Sequence, residues 1–315
     1  MDYNPAIADM RAGMSVEGFY IFKEGSVKLT QAGKPFLSGT LEDKSGTIEL
    51  KSWDYAGPVG ADDAGHVVKV RGEISDYRGA PQITVTRIRR AKEGDVYRVA
   101  DLVPTAPIDR EEAMREVRRL VSSIGDGDYR GIAEAMLAER GEAFAVIPAA
   151  KSVHHGFVGG LLMHTASMLK IAEFLVGMYP ETVNRDLLLT GTLLHDFAKT
   201  EEFAFSELGL VTDYSARGKL LGHLVMGADA VRRAAERLGV PEEKTMLLCH
   251  MILSHHGEPE FGAAVRPRFA EADLLSLIDL IDSRMEIYRE SLEGLEPGTF
   301  SQKIFALDRD IYRHE

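Results

Sequence analysis

A chain of 315 residues, 45% hydrophobic and 27% charged, has room for two domains with separate cores. It carries 37 basic against 49 acidic side chains, a net charge of −12, which excludes a protein that holds nucleic acid by bulk positive charge. The imbalance is uneven: residues 1–95 hold 13 basic and 14 acidic side chains and residues 96–315 hold 24 and 35, so a polyanion must be met by local patches and metal ions. The opening Met1-Asp2-Tyr3-Asn4-Pro5 lacks the cationic start and apolar core of a secretory signal, and no uninterrupted apolar run approaches the length of a bilayer span. No membrane partner is therefore expected. One cysteine, Cys249, lies in an apolar run and reads as a buried, inert thiol in a reducing cytoplasm.

Through the first 95 residues, short alternating stretches are divided by turn signals. Residues 16–28 read as a strand with Phe19 and Ile21 on one face. Gly33-Lys34-Pro35 turns into a strand over 36–41, and Asp43-Lys44-Ser45-Gly46 makes a hairpin turn into a third over 47–53. Two more, over 66–74 and 81–88, are joined through Asp76-Tyr77-Arg78-Gly79. Five strands of these lengths suggest a small barrel of the OB type, although the pattern alone also fits a generic five-stranded barrel or sandwich. In such a barrel Phe36, Lys51, Trp53, Lys69 and Arg71 are candidates for a groove that stacks bases and follows phosphates. Alternation puts Lys69 and Arg71 on the face opposite Val68 and Val70. An aromatic in a small barrel is more often core than platform, which weighs against Phe36 and Trp53.

Periodicity lapses over residues 93–108, where Pro104 and Pro107 mark a linker between a first domain over 1–92 and a helical domain over 109–315. Asp109 is a good N-cap. Helices are predicted over 111–122, 129–140, through the 150s and 160s to Met178 before Pro180, then 185–198, 219–238, 242–254, 272–292 and 302–312. The expected fold class is multidomain α and β, an all-β head on an all-α body.

Along the helical part runs the order His164, His195-Asp196, His223, His255-His256, Asp279. A lone histidine on an apolar helix face is usually a packed core residue. Independent core histidines have no reason to recur at predicted helix ends, one of them beside an aspartate, so the set reads as ligands for two cations. A carboxylate can bridge two divalent ions while its neighbouring imidazole holds one of them. Imidazole and carboxylate donors without thiolate favour Mn²⁺, with Fe²⁺, Co²⁺ or Mg²⁺ as alternatives, over a structural cysteine-bound zinc. Asp279 lies among aliphatic residues, where a carboxylate needs a partner or a metal. His66, His250 and His314 fall outside the set, as a strand opening, a packing residue beside Cys249 and a terminus.

The run His154-His155-Gly156-Phe157-Val158-Gly159-Gly160-Leu161-Leu162-Met163-His164-Thr165 resembles the opening motif of the HD-domain phosphohydrolases, in the form carried by the YhaM family of 3′→5′ exoribonucleases. So do Leu194-His195-Asp196-Phe197-Ala198-Lys199, Gly222-His223-Leu224-Val225-Met226-Gly227, Ser254-His255-His256-Gly257 and Ile278-Asp279-Leu280-Ile281-Asp282-Ser283-Arg284-Met285. That family also carries an N-terminal OB-fold, and Gly33-Lys34-Pro35-Phe36 with Leu41-Glu42-Asp43-Lys44-Ser45-Gly46 is similar to its barrel. One departure is Met163, where family members often have an acidic residue.

The resemblance implies that His164, His195, Asp196 and Asp279 hold one cation and that Asp196 bridges to a second held by His223 and His255. His256 completes the second site or contacts a phosphate. Lys199 is either a phosphate contact or a solvated lysine at a helix end. Asp282 and Arg284 orient a ligand or form an ordinary ion pair, and His154 and His155 line the substrate entrance or cap a helix. The implied activity is metal-dependent 3′→5′ hydrolysis of single-stranded RNA, with single-stranded DNA as a second substrate. The alternatives are a nucleotide or cyclic-dinucleotide phosphohydrolase with a regulatory barrel, and a non-catalytic nucleic-acid-binding scaffold. The oligomeric state stays open, a homo-oligomer included.

Overall fold

Strand β1 (Asp2–Tyr3) runs parallel to the start of β2 (Ser15–Leu29), and the length of β2 decides the architecture that follows. From Ile21 onward β2 pairs antiparallel with β3 (Pro35–Asp43), which pairs with β4 (Gly46–Trp53). Its first half pairs antiparallel with β5 (Val67–Tyr77), and β6 (Ala80–Arg90) lies antiparallel to β5 and parallel to β4. One strand with two partners closes the sheet, giving the five-stranded barrel of the OB-fold. The structure, a computed structural model, describes residues 2–77, 79–149, 156–205, 208–209 and 211–315. The chain divides between Thr105 and Ala106 into two compact units.

Alternation along the strands fills the barrel. Tyr20, Phe22, Leu37, Leu41, Leu50, Val68, Val70 and Ile83 point inward and are buried, while Phe19 and Ile21 share the opposite face, where Phe19 stacks on Tyr97. The hairpin turn is held by Asp43, whose Oδ1 accepts from the Ser45 and Gly46 amides at 2.7 and 3.1 Å and whose Oδ2 accepts from the Ile7 amide at 2.8 Å. Gly25 and Gly39 face each other where β2 bends, and a β-carbon on Gly25 would lie 2.8 Å from the Ser38 carbonyl oxygen. Backbones meet there too closely for any side chain.

After the short α1 (Val99–Leu102), the second unit is built from α2 (Arg110–Ser122), α3 (Gly127–Val146), α4 (Gly160–Met178) and α5 (Arg185–Leu194). Asp109, Asp126 and Asn184 cap α2, α3 and α5 by accepting from amides of their first turns. The chain continues through α6 (Lys199–Glu202), a hairpin of β7 (Phe203–Phe205) and β8 (Val211–Tyr214), α7 (Ala216–Leu238), α8 (Glu242–Ser254) and α9 (Ala270–Leu292). Their common core includes Ile132, Phe144, Leu161, Met168, Leu188, Leu193, Phe197, Val231, Leu248, Met251, Leu275 and Ile278. By length and mean hydropathy α4 is the one described helix that could cross a membrane, although Lys170 and Glu173 interrupt it; its buried residues belong to this core. Cys249 is partly buried, donates to the Ala228 carbonyl at 3.3 Å, and has its thiol pushed up to about 11 by burial.

Several expectations are corrected. The helix expected over 185–198 stops at Leu194, because Phe197, Lys199 and Thr200 each donate three residues back and the chain tightens into successive turns. The helix expected over 219–238 begins at Ala216 and is broken at Gly222, whose φ of 70° is outside the helical range. The stretch expected to be helical through the 150s reaches α4 only at Gly160, after Gly159 in the left-handed region; residues 150–155 lie outside the described residues. The body is not purely helical, since β7 and β8 pair within it. Residues 302–312 form no α-helix: Phe300 bridges Tyr312 and Ile304 bridges Arg309 around a single 3₁₀ turn. With Phe305 97% exposed and only Ile311 buried, the apolar residues of that segment find too little surface to bury against to offset the cost of helix nucleation.

Replacing Gly25 by valine is expected to cost about 1–3 kcal/mol of barrel stability. An earlier urea transition in tryptophan fluorescence would show it, since Trp53 of β4 is the only tryptophan; an unchanged midpoint would mean the strands can part there at no cost.

Candidate metal centre and nucleic-acid groove

The predicted ligands come together, all but Asp279 at places where helices start, stop or break. His164 lies near the start of α4, His195 caps the end of α5, Asp196 is in the turn after it, His223 follows the break at Gly222, His255 caps the end of α8, and Asp279 is on α9. Asp196 stands between two groups of imidazoles. Its Oδ2 is 3.4 Å from His195 Nε2 and 4.0 Å from His164 Nε2, while its Oδ1 is 3.4 Å from His223 Nε2 and 3.6 Å from His255 Nε2. Asp279 Oδ1 lies 3.4 Å from His164 Nε2. Ligand atoms of His164, His195 and Asp196, of His195, His255 and Asp279, and of His223, His255 and His256 lie within 4.8 Å of one another in each group.

The surroundings aim these atoms inward. The carbonyls of Thr192 and Ile252 can only accept, so His195 and His255 donate to them from Nδ1 at 2.8 and 2.7 Å, and each Nε2 is left without a proton in the neutral ring. His164 Nδ1 donates to Asp282 at 2.7 Å. Asp196 Oδ1, His223 Nε2, His255 Nε2 and His256 Nδ1 are buried without a hydrogen-bond partner among the described residues. Asp196 Oδ1 with the Nε2 atoms of His223 and His255 makes three bare acceptors converging out of water, which is costly unless a cation takes them, and the donor set fits divalent metals on that ground.

Charges in the metal-free protein follow from the same packing. Burial disfavours the imidazolium of His164, but Asp279 and Asp282 outweigh it and push His164 up to about 10. Burial alone would raise the Asp196 carboxyl, yet Lys199 and then His195 hold it well below the usual range. Lys199 Nζ donates to Asp196 Oδ2 at 2.6 Å, the oxygen on the His164 and His195 side. Burial holds His255 well below its ordinary value and lowers His256 as well. Arg284 is exposed on α9 and forms no ion pair among the described residues, so Asp282 has His164 as its partner rather than Arg284. His154 and His155 lie outside the described residues.

On the barrel, Trp53 is 55% exposed and stacks on Phe36 with ring centroids 5.1 Å apart. Lys51 bonds Ser38 Oγ at 2.6 Å and lies 5.8 Å from the Phe36 centroid. A groove of about 550 Å³ is lined by Trp53, Lys69, Arg71, Arg87 and Arg89 together with Glu17. Strand register places Lys69 opposite Arg89 and Arg71 opposite Arg87. Glu17 pairs with Lys69 at 2.9 Å and Asp95 with Arg89 at 2.6 Å, whereas Arg71 and Arg87 enter no ion pair among the described residues.

The HD domain family profile matches residues 161–284. The 3′-5′ exoribonuclease YhaM of Geobacillus sp. (strain WCH70) is 38% identical over 313 residues, covering 98% of this chain and 94% of that one. The enzyme of the same name from Oceanobacillus iheyensis is 36% identical over 312 residues, covering 97% and 96%. This chain belongs to the YhaM family. The second OB-fold domain of replication protein A from Methanococcus maripaludis is similar at a TM-score of 0.23 and 16% identity, covering 29% of this chain and 97% of that one. That likeness adds nothing to the strand register already described.

Two residues of this YhaM-family chain escaped the sequence reading. Glu202 is buried and its Oε1 accepts from the backbone and Nδ1 of His223 at 3.0 and 3.1 Å, turning Nε2 toward Asp196. The signal was the costly glycine before His223: the break at Gly222 is what brings the His223 amide to Glu202. Arg87 was legible as the outward neighbour of Ile88, but only the register shows that it faces Arg71.

Glu202→Gln is expected to weaken binding of Mn²⁺ by about 10–100-fold, the usual effect of removing a partner that orients a ligand histidine. Calorimetric titration would read it, and wild-type affinity would deny Glu202 this role. A cation taking His164 Nε2 must displace the proton held there up to pH about 10. Mn²⁺ affinity should therefore rise with pH between 6.5 and 8.5, roughly tenfold per pH unit for one proton released; a flat profile would mean that His164 gives up no proton to the metal.

Proposed function

We propose that this protein removes nucleotides one at a time from the 3′ end of single-stranded RNA, and of single-stranded DNA as well, by metal-dependent hydrolysis. The observation that carries the reading is Asp196, whose two oxygens face separate histidine groups. The polarity and the RNA preference rest on the relatives named as 3′-5′ exoribonucleases. His164, His195, Asp196 and Asp279 are assigned to one cation, and Asp196, His223, His255 and His256 to the other. A donor set rich in imidazole suits Mn²⁺ first, then Fe²⁺ or Co²⁺, and Mg²⁺ least, because Mg²⁺ prefers oxygen. Two such ions supply an activated water and offset the charge that builds on the scissile phosphate.

The chain's own residues prepare that site. Asp282 and Glu202 fix the orientation of His164 and His223, and the Thr192 and Ile252 carbonyls fix the tautomers of His195 and His255. Lys199, held beside Asp196, places an ammonium where developing negative charge on a phosphate oxygen is stabilised. In the barrel, Trp53 on Phe36 forms a stacking platform, Arg71 and Arg87 take phosphates, and Lys51 and Lys69 flank them. Residues 1–92 are thus assigned to strand binding, 93–108 to a linker and 109–315 to hydrolysis. A lone, partly buried Cys249 fits a reducing cytoplasm.

A 5′-labelled single-stranded RNA incubated with the protein and Mn²⁺ is expected to shrink as a ladder. EDTA should stop it, and Asp196→Asn should slow it by more than about 100-fold, beyond the cost of losing a residue that merely orients a ligand. Intact RNA alongside turnover of free nucleotides or cyclic dinucleotides would assign the site to a small-molecule phosphohydrolase instead.

A further inference from the structure

Beside the metal centre a cleft of about 370 Å³ opens between the loop after α8 and one face of α9. Its lining includes the metal-centre residues His255, His256 and Asp279. One wall is the helix face carrying Asp273, Ser276, Leu277, Leu280 and Ser283, spaced three and four residues apart so that they share one side. Phe261, 76% exposed although it is a large aromatic, also lines the cleft.

Phe261 is not on a loose loop. Its amide donates to the Glu258 carbonyl at 2.9 Å, Gly262 donates to Pro259 at 3.0 Å, and Ala264 ties back to Leu253 of α8 at 2.9 Å. Glu258 also accepts from Arg266 at 2.6 Å. Gly257 presses this loop onto α9, since a β-carbon there would lie 2.7 Å from Ser276 Oγ, and its φ of 78° suits glycine. An exposed ring held by a hydrogen-bonded turn is pre-organised to receive a flat partner.

Charge narrows what that partner is. Among the described residues no lysine or arginine lines the cleft, while Glu258, Asp273 and Asp279 do. Glu258 is paired with Arg266 and Asp279 is assigned as a metal ligand, so phosphates lying past the cations would meet the Asp273 carboxylate and no lining cation. An aromatic base with an uncharged sugar has no charge to be repelled, and the volume is at the lower end of small-molecule sites, about 300–1,000 Å³. We propose that this cleft takes the base and sugar of the strand's last nucleoside, ending in a free 3′-hydroxyl, with the base stacked on Phe261 and covered by Leu277 and Leu280. The assignment rests on the exonuclease reading of the neighbouring site, and it places the base and sugar of the nucleotide about to be released against the metal ligands while the rest of the strand lies outside the cleft.

The test uses the full-length, Mn²⁺-loaded protein and an oligoribonucleotide with 2-aminopurine at its 3′ end, its last linkage a hydrolysis-resistant methylene phosphonate. Stacking quenches the fluorescence of this base. Quenching is expected with the wild type, lost in Phe261→Ala and restored in Phe261→Tyr. On ordinary RNA, Phe261→Ala should raise KM about tenfold, within the range for one base on one ring, with kcat little changed, and a 3′-phosphate should slow the wild type about tenfold or more through like-charge repulsion. Equal quenching or equal KM in Phe261→Ala would overturn the stacking role, and equal rates on 3′-hydroxyl and 3′-phosphate ends would overturn the exclusion by charge. Should the wild type leave RNA intact, the exonuclease reading would fall, while the fluorescence arm would still decide whether a terminal base binds here.

Discussion

A carboxylate with almost no access to water has to be matched by positive charge or it gives up its own, and Asp196 is such a carboxylate. In the metal-free protein Lys199 supplies one match at 2.6 Å, and His164, kept protonated by Asp279 and Asp282, supplies part of another. On the Oδ1 side nothing donates among the described residues: His223 and His255 turn bare nitrogens toward an oxygen that also accepts no hydrogen bond from them. This arrangement, half neutralised and half unsatisfied, is held by helices packed into the second unit's core, and bound divalent ions would relieve its cost. The contacts behind the ligands serve the same end. Glu202, Asp282 and the Thr192 and Ile252 carbonyls each hold one imidazole so that the nitrogen facing Asp196 is available.

Much of this was legible along the chain because the ligands are unusual residues in apolar surroundings, and the barrel because its strands alternate. What was not legible depends on three-dimensional closure. Glu202 is an ordinary glutamate in the sequence; only the break at Gly222 carries the His223 amide to its carboxylate. The turn through His195 to Ala198 reads as helix because every residue in it tolerates helix, and it departs from one where ligand geometry and packing around Phe197 prevail over local preference. The 302–312 segment erred the other way: its apolar residues have helical spacing but no surface to bury against, and Phe305 stays exposed. Phe261 gave no signal, since a single aromatic in a loop becomes informative only with its exposure and the cleft beside it.

The barrel shows how an acidic chain can still present a surface for a polyanion. Its strand register builds a ladder of Lys69 and Arg71 against Arg89 and Arg87, and Glu17 and Asp95 then neutralise one rung. The rung with no ion pair among the described residues, Arg71 with Arg87, shares the groove with the exposed ring of Trp53. Net charge says little about such a site, because exposed charges beyond about 8–10 Å are screened at physiological salt. Local geometry decides it. Acidity elsewhere on the chain has a use of its own where carboxylates line the cleft by the metal centre and leave room for a base rather than a phosphate.

The central claim is that Asp196 joins two cations, and magnetic resonance of the Mn²⁺-loaded protein tests it most directly. Two Mn²⁺ per chain with an exchange-coupled signal are predicted for the wild type, with the coupling lost in Asp196→Asn. A single uncoupled ion, or coupling that survives Asp196→Asn, would contradict the bridging role.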